Sequence, residues 1–299
     1  MLDALTLDQM RIFVAVVDEG SFSAAARKLG RVQSAVSQSI AALEDELEVG
    51  LFDRTGKVPK PTAAGEALAR DARRLLLGAA EFRKRAACIA DKVEPELVVA
   101  VDPIFPHAPL IASLKALRVE FPNLPVSIFT ENLGGSEQRL RDGVAQFAIT
   151  PMPLTGAGGL AAEFLVAIDV APVVAVDHPL AREPGPIPRA VLEPHVQLVL
   201  TDRTPLTQNF SGGIVGHHIW RFADLSTRLE FLLAGFGWCN MPLHLVSTPI
   251  AEGRLKILDL AERDPFQFRV HVMHMRGRDI GRAGRWLIED LRERLKTCP

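Results

Sequence analysis

The sequence predicts a small helical N-terminal domain, one long helix, and a C-terminal α/β domain made of two subdomains. Three observations lead to this prediction. Three short helical patterns lie within residues 7–46, a proline-free heptad pattern occupies residues 62–93, and short apolar segments then alternate with helical patterns. A length of 299 residues suits two or three domains.

The composition is that of a globular protein from a reducing compartment. Hydrophobic residues make up 48% of the chain, charged residues 23%, and the formal net charge is -2, so overall charge does not predict nucleic-acid binding. Cys88, Cys239 and Cys298 form neither a disulfide framework nor a metal-binding pair. The N-terminus shows no secretory signal, and no apolar run is long enough to span a bilayer. We therefore expect a cytoplasmic protein with no cofactor, no metal and no membrane partner.

The first helical pattern, Leu7–Glu19, has one apolar face, and Gly20 ends it. A second, alanine-rich helix is predicted around Ser23–Leu29, with Ser21 or Ser23 as its cap. The third runs from after Gly30 to about Glu46 on an apolar stripe of Val36, Ile40, Leu43 and Leu47.

The third helix begins with a polar, uncharged face made of Gln33, Ser34, Ser37 and Gln38. Gln can pair with adenine through two hydrogen bonds, and Ser can bond to either base type. These residue types at the start of a helix are typical of a recognition helix in the major groove. The same face also fits the solvated side of a small bundle.

A basic hairpin is predicted after the three helices. The turn Thr55–Lys57 separates Leu51–Arg54 from Val58–Pro61, and two prolines restrict the second arm to an edge strand. Such a wing would face phosphates. The candidate DNA contacts of the helix and the wing are Arg31, Gln33, Ser34, Ser37, Gln38, Arg54, Lys57 and Lys60.

The long helix carries an apolar seam with alternating spacings of 4 and 3, which is typical of a coiled coil. Its members are Leu68, Ala72, Leu75, Ala79, Phe82, Ala86, Ile89 and Val93. A stripe this narrow buries little within one chain, so it indicates pairing with a second copy across a twofold axis, chiefly through Leu68, Leu75, Phe82 and Ile89. Packing of this helix on its own domain is the alternative.

Strands and helices alternate after Pro95, which predicts a parallel α/β sheet. The expected strands are residues 97–101, 126–130, 147–149, 171–176, 197–200, 255–258 and 268–275. The expected helices are residues 111–121, 137–142, 224–234 and 283–296.

Several segments resemble the LysR family of bacterial transcription regulators. In the N-terminal domain these are Phe13–Ala26, Gln33–Glu44, Leu51–Arg54 and Thr62–Gly65. The C-terminal segments are Phe121–Pro122, Asp177–Ala181, Gly235–Trp238 and Met241–Pro242. The chain departs from many relatives at Val32, where they have serine, at Ser34, where they have proline, and at Gln38, where they have a basic residue.

The resemblance implies a winged helix-turn-helix, a linker helix that dimerises, and a periplasmic-binding-protein-like effector domain. The implied limits are residues 1–64, 65–93 and 94–299, with subdomain one at 94–166 and 267–299 and subdomain two at 167–266. The implied function is a sequence-specific DNA-binding regulator controlled by a small-molecule effector. Double-stranded DNA, the effector and further copies of the chain, as a homodimer or homotetramer, are the expected partners, and RNA polymerase is a candidate.

Ligands of such sheets bind beyond the carboxyl ends of the strands. Residues at those ends, with two from the glycine-rich segment, give the effector candidates Asp102, Pro103, Ile104, Thr130, Thr150, Thr201, Arg203, Trp238 and Met241. Glu131, Asn132 and Asp202 follow the same strands. Many relatives have Ser or Thr where this chain has Asp102, and an ionised Asp102 favours a donor ligand unless Arg203 pairs with it.

Other functions fit the sequence less well. His217-His218 and His271 with His274 lack metal-ligand geometry, and Cys239 has no basic residue next to it in sequence. A solute-binding protein would need a secretory signal, and an enzyme on the α/β domain would need a catalytic motif, of which the sequence shows none. We therefore predict that the chain is not an enzyme.

Overall fold

The computed structural model describes residues 5–55, 59–151, 158–202, 204, 206, 213–262 and 266–297. The chain divides into two compact units, Met1–Ala87 and Cys88–Pro299. The first unit holds the N-terminal helices and most of the long helix, and the second holds the α/β domain.

Three helices build the first unit: α1 (Leu7–Glu19), α2 (Phe22–Leu29) and α3 (Gln33–Leu47). The side chain of Thr6 caps α1 in a reciprocal capping box with Gln9, and Ser21 caps α2. Gly20 and Gly30 end the first two helices with positive φ, the conformation that glycine adopts at lowest cost. The three predicted helices are therefore confirmed.

The apolar stripes of these helices meet in one core. Its members, all buried, are Ile12, Phe13, Ala15, Val16, Ala25, Ala26, Val36, Ile40, Leu43, Leu51, Phe52, Ala69 and Ala72. Phe52 packs edge-on against both Phe13 and Phe22, so the strand that follows α3 is fixed to the first two helices.

A short antiparallel hairpin follows, made of β1 (Phe52–Asp53) and β2 (Lys60–Pro61). The helix α4 (Ala63–Ala90) begins directly after it. The hydroxyl of Thr62 donates to the carbonyl of Gly50 at 2.8 Å and accepts from the N–H of Gly65 at 2.9 Å. The start of α4 is thus bonded to the segment that leads into the hairpin.

The predicted seam of α4 divides into parts with different surroundings. Ala72 is buried in the N-terminal core and Leu68 packs against that core, whereas Val93, beyond the end of the helix, is buried in the core of the α/β domain. Leu75, Phe82 and Ile89 are 57%, 75% and 63% exposed. Leu68 is half-buried against its own domain, so less of its side chain than of Leu75, Phe82 or Ile89 is available to a partner.

The α/β domain contains more elements than the sequence predicts. Its strands are β3 (Leu97–Val101), β4 (Val126–Thr130), β5 (Phe147–Pro151), β6 (Leu160–Ala175), β7 (Gln197–Leu200), β8 (Ile219–Phe222), β9 (Trp238–Pro242), β10 (Leu255–Ile257) and β11 (Phe266–Met275). Its helices are α5 (His107–Glu120), α6 (Gly134–Arg141), α7 (Arg189–Leu192), α8 (Leu225–Leu233), α9 (Leu243–Ala251) and α10 (Arg282–Thr297). The sequence analysis missed β8, β9, α7 and α9.

The described strands of this domain form one sheet in the order β4-β3-β5-β11-β6-β9-β7-β8, with β10 paired to β6. Each end of the sheet is parallel, but β11 runs antiparallel to β5 and β6, and β6 runs antiparallel to β9. The expected parallel sheet is therefore wrong, and the sheet is mixed. The two long strands β6 and β11 run through both halves, and apolar periodicity carries no information about strand direction.

We predict opposite effects of alanine at two glycines of α4. A Cβ on Gly65 would lie 2.1 Å from the carbonyl oxygen of Leu51, whereas a Cβ on Gly78 would meet no heavy atom within 4 Å. Gly65→Ala should therefore destabilise the first unit by about 2 kcal/mol or more, because backbone must move. Gly78→Ala should stabilise the helix by about 0.5–1 kcal/mol. Amide hydrogen exchange in α1–α3 of each variant measures this, and unchanged exchange in Gly65→Ala would contradict the packing.

Candidate functional sites

The start of α3 presents its predicted polar face to solvent. Gln33, Ser34 and Gln38 are exposed and Ser37 is half-buried, while Val36 and Ile40 hold the opposite face in the core. The hydroxyl of Ser23 donates to the Gln33 side chain at 2.8 Å, which orients that amide. Val32 occupies the N-cap position without a side-chain cap and is 67% exposed.

The basic residues around this face differ in their surroundings. Arg31 donates two hydrogen bonds to the carboxylate of Asp8, at 2.7 and 2.9 Å. Arg54 donates to Glu44 at 2.6 Å, and its guanidinium lies 5.7 Å from the centroid of the Phe22 ring. Lys60 is exposed and lies opposite Asp53 in the hairpin, where its charge helps to lower the pKa of that carboxyl. The remaining predicted wing residue, Lys57, lies outside the described residues.

Glu44 explains why Arg54 is held at the root of the wing. Besides pairing with Arg54, its carboxylate accepts the backbone N–H groups of Leu51 and Phe52 at 2.7 and 3.1 Å. One side chain of α3 thus fixes the first arm of the hairpin. The sequence predicts that Arg54 contacts phosphate. In the structure Arg54 is paired with Glu44, so a phosphate would share its guanidinium with that carboxylate.

A crevice of about 120 Å³ lies at the strand ends of the α/β domain. It is lined by Pro103, Thr130, Glu131, Asn132, Gly135, Asp202, Ala223 and Asp224. These residues come from both ends of the sheet, so the crevice is shared by the two predicted subdomains. Sites for metabolites usually enclose 300 Å³ or more, so this crevice is smaller than such sites.

Two hydrogen bonds cross the crevice. The Asn132 amide donates to the carbonyl of Ala223 at 2.9 Å, and the N–H of Gly134 donates to the Asp202 carboxylate at 3.1 Å. A Cβ on Gly134 would lie 2.5 Å from that carboxylate oxygen, so glycine permits the approach. The Oδ1 of the same Asn132 amide is buried without a partner among the described atoms.

Asp102 lies beneath the crevice and joins two of its loops. It is 2% exposed, and its two carboxylate oxygens accept the N–H groups of Ile104 at 3.0 Å and Leu133 at 3.2 Å. Leu133 has a φ of 51°, an uncommon value for a residue with a side chain. Burial raises the pKa of the Asp102 carboxyl to about 7, although the two N–H groups act to lower it.

The other predicted effector residues are placed differently. Ile104 and Met241 are buried in the main core of the domain, and Thr150 is 3% exposed. Thr201 is half-buried, and its N–H donates to the carbonyl of Phe222. Arg203 lies outside the described residues.

The structure does not place Trp238 at the crevice, where the sequence predicts that it contacts the effector. The strand β9 begins at Trp238, directly after the glycine-rich segment, and successive side chains of a strand point to opposite faces. Its indole is 1% exposed and packs in a cluster with Leu180, Ile187 and Leu192. The side chain therefore belongs to a core cluster and not to the crevice lining.

The expectation that ligands bind beyond the carboxyl ends of the strands correctly selects five residues that line the crevice: Pro103, Thr130, Glu131, Asn132 and Asp202. It missed Ala223 and Asp224, because the short strand β8 that precedes them was not predicted. It also missed Gly135, which lies in the first turn of a helix whose start was placed three residues too late.

Within the described part of the chain, no cluster of three or more His, Cys, Asp or Glu side chains could hold a metal ion. Burial raises the pKa of the Cys239 thiol, which disfavours the reactive thiolate. No helix in the described ranges is long and apolar enough to cross a membrane.

Comparison with known families finds two matches that follow one another along the chain. Residues 7–66 match the family described as "Bacterial regulatory helix-turn-helix protein, lysR family". Residues 90–296 match the family described as "LysR substrate binding domain". Together the two matches span the DNA-binding and crevice-bearing parts described above.

Curated relatives align over almost the whole chain. The HTH-type transcriptional regulator AceR of Acinetobacter baumannii is 30% identical over 98% of this chain and 98% of its own length. The probable HTH-type transcriptional regulator YhaJ of Escherichia coli K12 is 31% identical over 96% of each.

Solved structures share the fold. A cysteine mutant of OxyR from Corynebacterium glutamicum has a TM-score of 0.66 at 25% identity, covering 98% of this chain and 92% of its own. A full-length BenM mutant has a TM-score of 0.53 at 20% identity, covering 98% and 97%. The second likeness concerns the fold alone.

We predict that Asp102 makes the α/β domain less stable as pH rises. The folded state keeps its proton up to a pKa of about 7, whereas the unfolded carboxyl releases it near 3.8. The stabilisation is therefore complete below about pH 4 and is lost as pH rises through 7. Between pH 5 and 8 the wild-type free energy of unfolding should fall roughly 2 kcal/mol further than that of Asp102→Asn.

Urea unfolding followed by tryptophan fluorescence measures this difference, because Trp220, Trp238 and Trp286 all lie in this domain. The comparison with Asp102→Asn removes the contribution of every other titrating group. Parallel pH profiles for the two proteins would show that Asp102 titrates normally.

Proposed function

The chain belongs to the LysR family of transcription regulators, and from this membership we propose how its parts bind DNA, effector and a second copy. It is a DNA-binding regulator with an effector-binding domain and is not an enzyme. The observation that carries the proposal is the exposed polar start of α3 beside a basic hairpin. Both features lie on a helix-turn-helix whose opposite faces are buried.

In the proposed complex Gln33, Ser34, Ser37 and Gln38 read base edges in the major groove. Gln33 is the strongest of these, since its amide is exposed yet already oriented by Ser23. An oriented side chain loses less conformational entropy when it binds. The exposed Val32 adds an apolar surface at the same end of the helix, suited to the methyl group of thymine.

Lys60, Arg54, Arg31 and Lys57 are the proposed phosphate contacts. Lys60 is exposed and forms no ion pair as close as those of Arg31 and Arg54, although Asp53 lies opposite it in the hairpin. Arg31 and Arg54 are already paired with carboxylates. Their contribution to phosphate binding should be smaller because each must share its charge.

The effector is proposed to bind in the crevice between the two subdomains. Pro103, Thr130, Glu131, Asn132 and Asp202 line it, with Asp102 below. The small volume and the two crossing hydrogen bonds mean that the subdomains must separate to admit a metabolite. A ligand that binds one separation better than the other would shift the protein between the two arrangements.

The chain is proposed to pair with a second copy through α4. Leu75, Phe82 and Ile89 recur every seven residues and are all more than half exposed in the single chain. Apolar residues with this spacing are buried when they pack against an equivalent row of residues on another helix. A second copy related by a twofold axis provides that row. LysR-type proteins form oligomers, and the choice of α4 as the contact is our proposal.

A regulator of this kind works where the chromosome is, so we propose a cytoplasmic location and RNA polymerase as an indirect or direct partner. The limits 1–64, 65–93 and 94–299 remain our proposal for the three domains. The helix α4, Ala63–Ala90, spans most of the middle segment.

We predict different effects of two alanine variants on binding to the DNA upstream of the protein's own gene. Gln33→Ala should weaken specific binding by roughly 1–3 kcal/mol and leave non-specific binding unchanged. Lys60→Ala should weaken both and reduce the slope of log affinity against log salt by about 1. Titration by fluorescence anisotropy at several salt concentrations measures both effects.

Lys115→Ala is the matched control for charge, since Lys115 is an exposed lysine of the other unit. It should leave the salt slope at the wild-type value. If Gln33→Ala weakened specific and non-specific binding equally, Gln33 would not be a residue that reads bases.

We predict that Phe82→Glu prevents pairing through α4, because a carboxylate in the seam would be desolvated without a partner. Leu77→Glu is the control on the same helix, since Leu77 is 66% exposed but lies off the seam. Sedimentation velocity should show a loss of at least one association step in the first variant alone. If Phe82→Glu sedimented with the wild-type molecular mass, α4 would not be the pairing surface and would instead pack within one chain.

A further inference from the structure

Arg228 is a buried cation for which the described structure supplies no anion. It lies on α8 and is 8% exposed. Its Nη2 donates to the carbonyl of Asn240 and to Sδ of Met241, both at 3.2 Å. Its Nε is enclosed without a partner, and no described carboxylate lies within ion-pair distance of the guanidinium.

A guanidinium stays charged at all physiological pH values. Burying a charge without a counter-charge is costly, and two weak neutral acceptors offset little of that cost. The neighbouring thiol of Cys239 does not provide the charge, since burial raises its pKa. The sequence from Arg203 to Gly213 contains no Asp or Glu, so this segment does not provide the charge either.

Arg228 does not line the crevice itself, but it lies one helical turn from a residue that does. The strands β7, β8 and β9 are parallel, so their carboxyl ends share one edge. Asp202 and Asp224, which follow β7 and β8, line the crevice. Arg228 is one helical turn beyond Asp224 and bonds to Asn240 and Met241, near the carboxyl end of β9.

The carboxylates of the crevice already have other contacts. Glu131 pairs with Arg139 at 2.7 Å. Asp224 accepts the N–H and hydroxyl of Thr227 at 2.7 and 2.8 Å. Asp202 accepts from Gly134 and Thr204. These groups therefore organise the loops, and Arg228 keeps unused donors at the same edge.

We propose that Arg228 anchors a carboxylate of the effector, so that the regulator responds to an anionic metabolite. The inference rests on the proposed effector crevice and adds the charge of the ligand and the residue that recognises it. The sequence analysis singled out Arg203 as the cation of this site; Arg228 was missed because it lies inside a helix, one turn after the strand-end loop.

Calorimetry of the full chain with small carboxylates tests the proposal. The probes are acetate, succinate and benzoate, each compared with its uncharged amide at constant ionic strength. At least one carboxylate should bind wild type while its amide does not. Arg228→Met should weaken that binding about 10- to 100-fold, the loss expected for one charge-assisted hydrogen-bonded contact. Arg221→Met, at an exposed arginine of the same region, should bind like wild type.

The thermal midpoint provides a second measurement. Without ligand, Arg228→Met should melt at or above the wild-type temperature, because an apolar side chain replaces an unpaired buried charge. Undiminished carboxylate binding by Arg228→Met would overturn the proposal, as would the absence of binding by every carboxylate. Wild type that binds only neutral or cationic metabolites would also overturn it while leaving the effector crevice intact.

Discussion

The antiparallel ladder between β6 and β11 is the interaction on which the α/β domain depends. It pairs Leu160 with Met275 at one end and Val170 with Phe266 at the other. Beyond it, β6 pairs with β9 and β10, while β11 pairs with β5. Both groups of parallel strands are therefore attached to the same two strands. The register shifts between Val270 and His271, so the ladder is least regular near its middle, where bending would cost the fewest hydrogen bonds.

Bending at that point, as at a hinge, would change the crevice, because residues of both halves of the sheet line it. Its closed form depends on two hydrogen bonds, from Asn132 to Ala223 and from Gly134 to Asp202. The net contribution is about 1 kcal/mol for the neutral bond and about 1.5–3 kcal/mol for the bond to the carboxylate, so only a few kcal/mol hold the crevice in this form. Asp102 stays on one side of the hinge and holds its loops together, since both of its partners belong to subdomain one.

Sequence reasoning succeeded where a local pattern determines structure. The first helix was predicted to the residue, and β3, β4 and β7 have their predicted limits, because apolar runs and caps are local signals. Contacts with residues elsewhere in the chain were not predicted. These are the ion pairs of Arg31 with Asp8 and of Arg54 with Glu44, and the packing of Trp238 against Leu180, Ile187 and Leu192. Strand direction was not predicted correctly either, since alternation of polar and apolar residues is equal in both directions.

The same dependence on distant partners connects the crevice to the long helix. Cys88 and Val93, at and just beyond the end of α4, are buried in the core of the α/β domain. The carboxylate of Glu94 accepts the N–H groups of Ala283 and Gly284 at 3.1 and 2.7 Å, which satisfies the start of α10. The chain that leaves α4 is thus fixed to subdomain one, on the same side of the hinge as Asp102. Movement of subdomain two against subdomain one then leaves the end of α4 in place. In the proposed mechanism, an effector signal would therefore reach the DNA-binding unit through contacts of subdomain two with a second copy of the chain, for which the exposed residues of α4 offer a pairing surface.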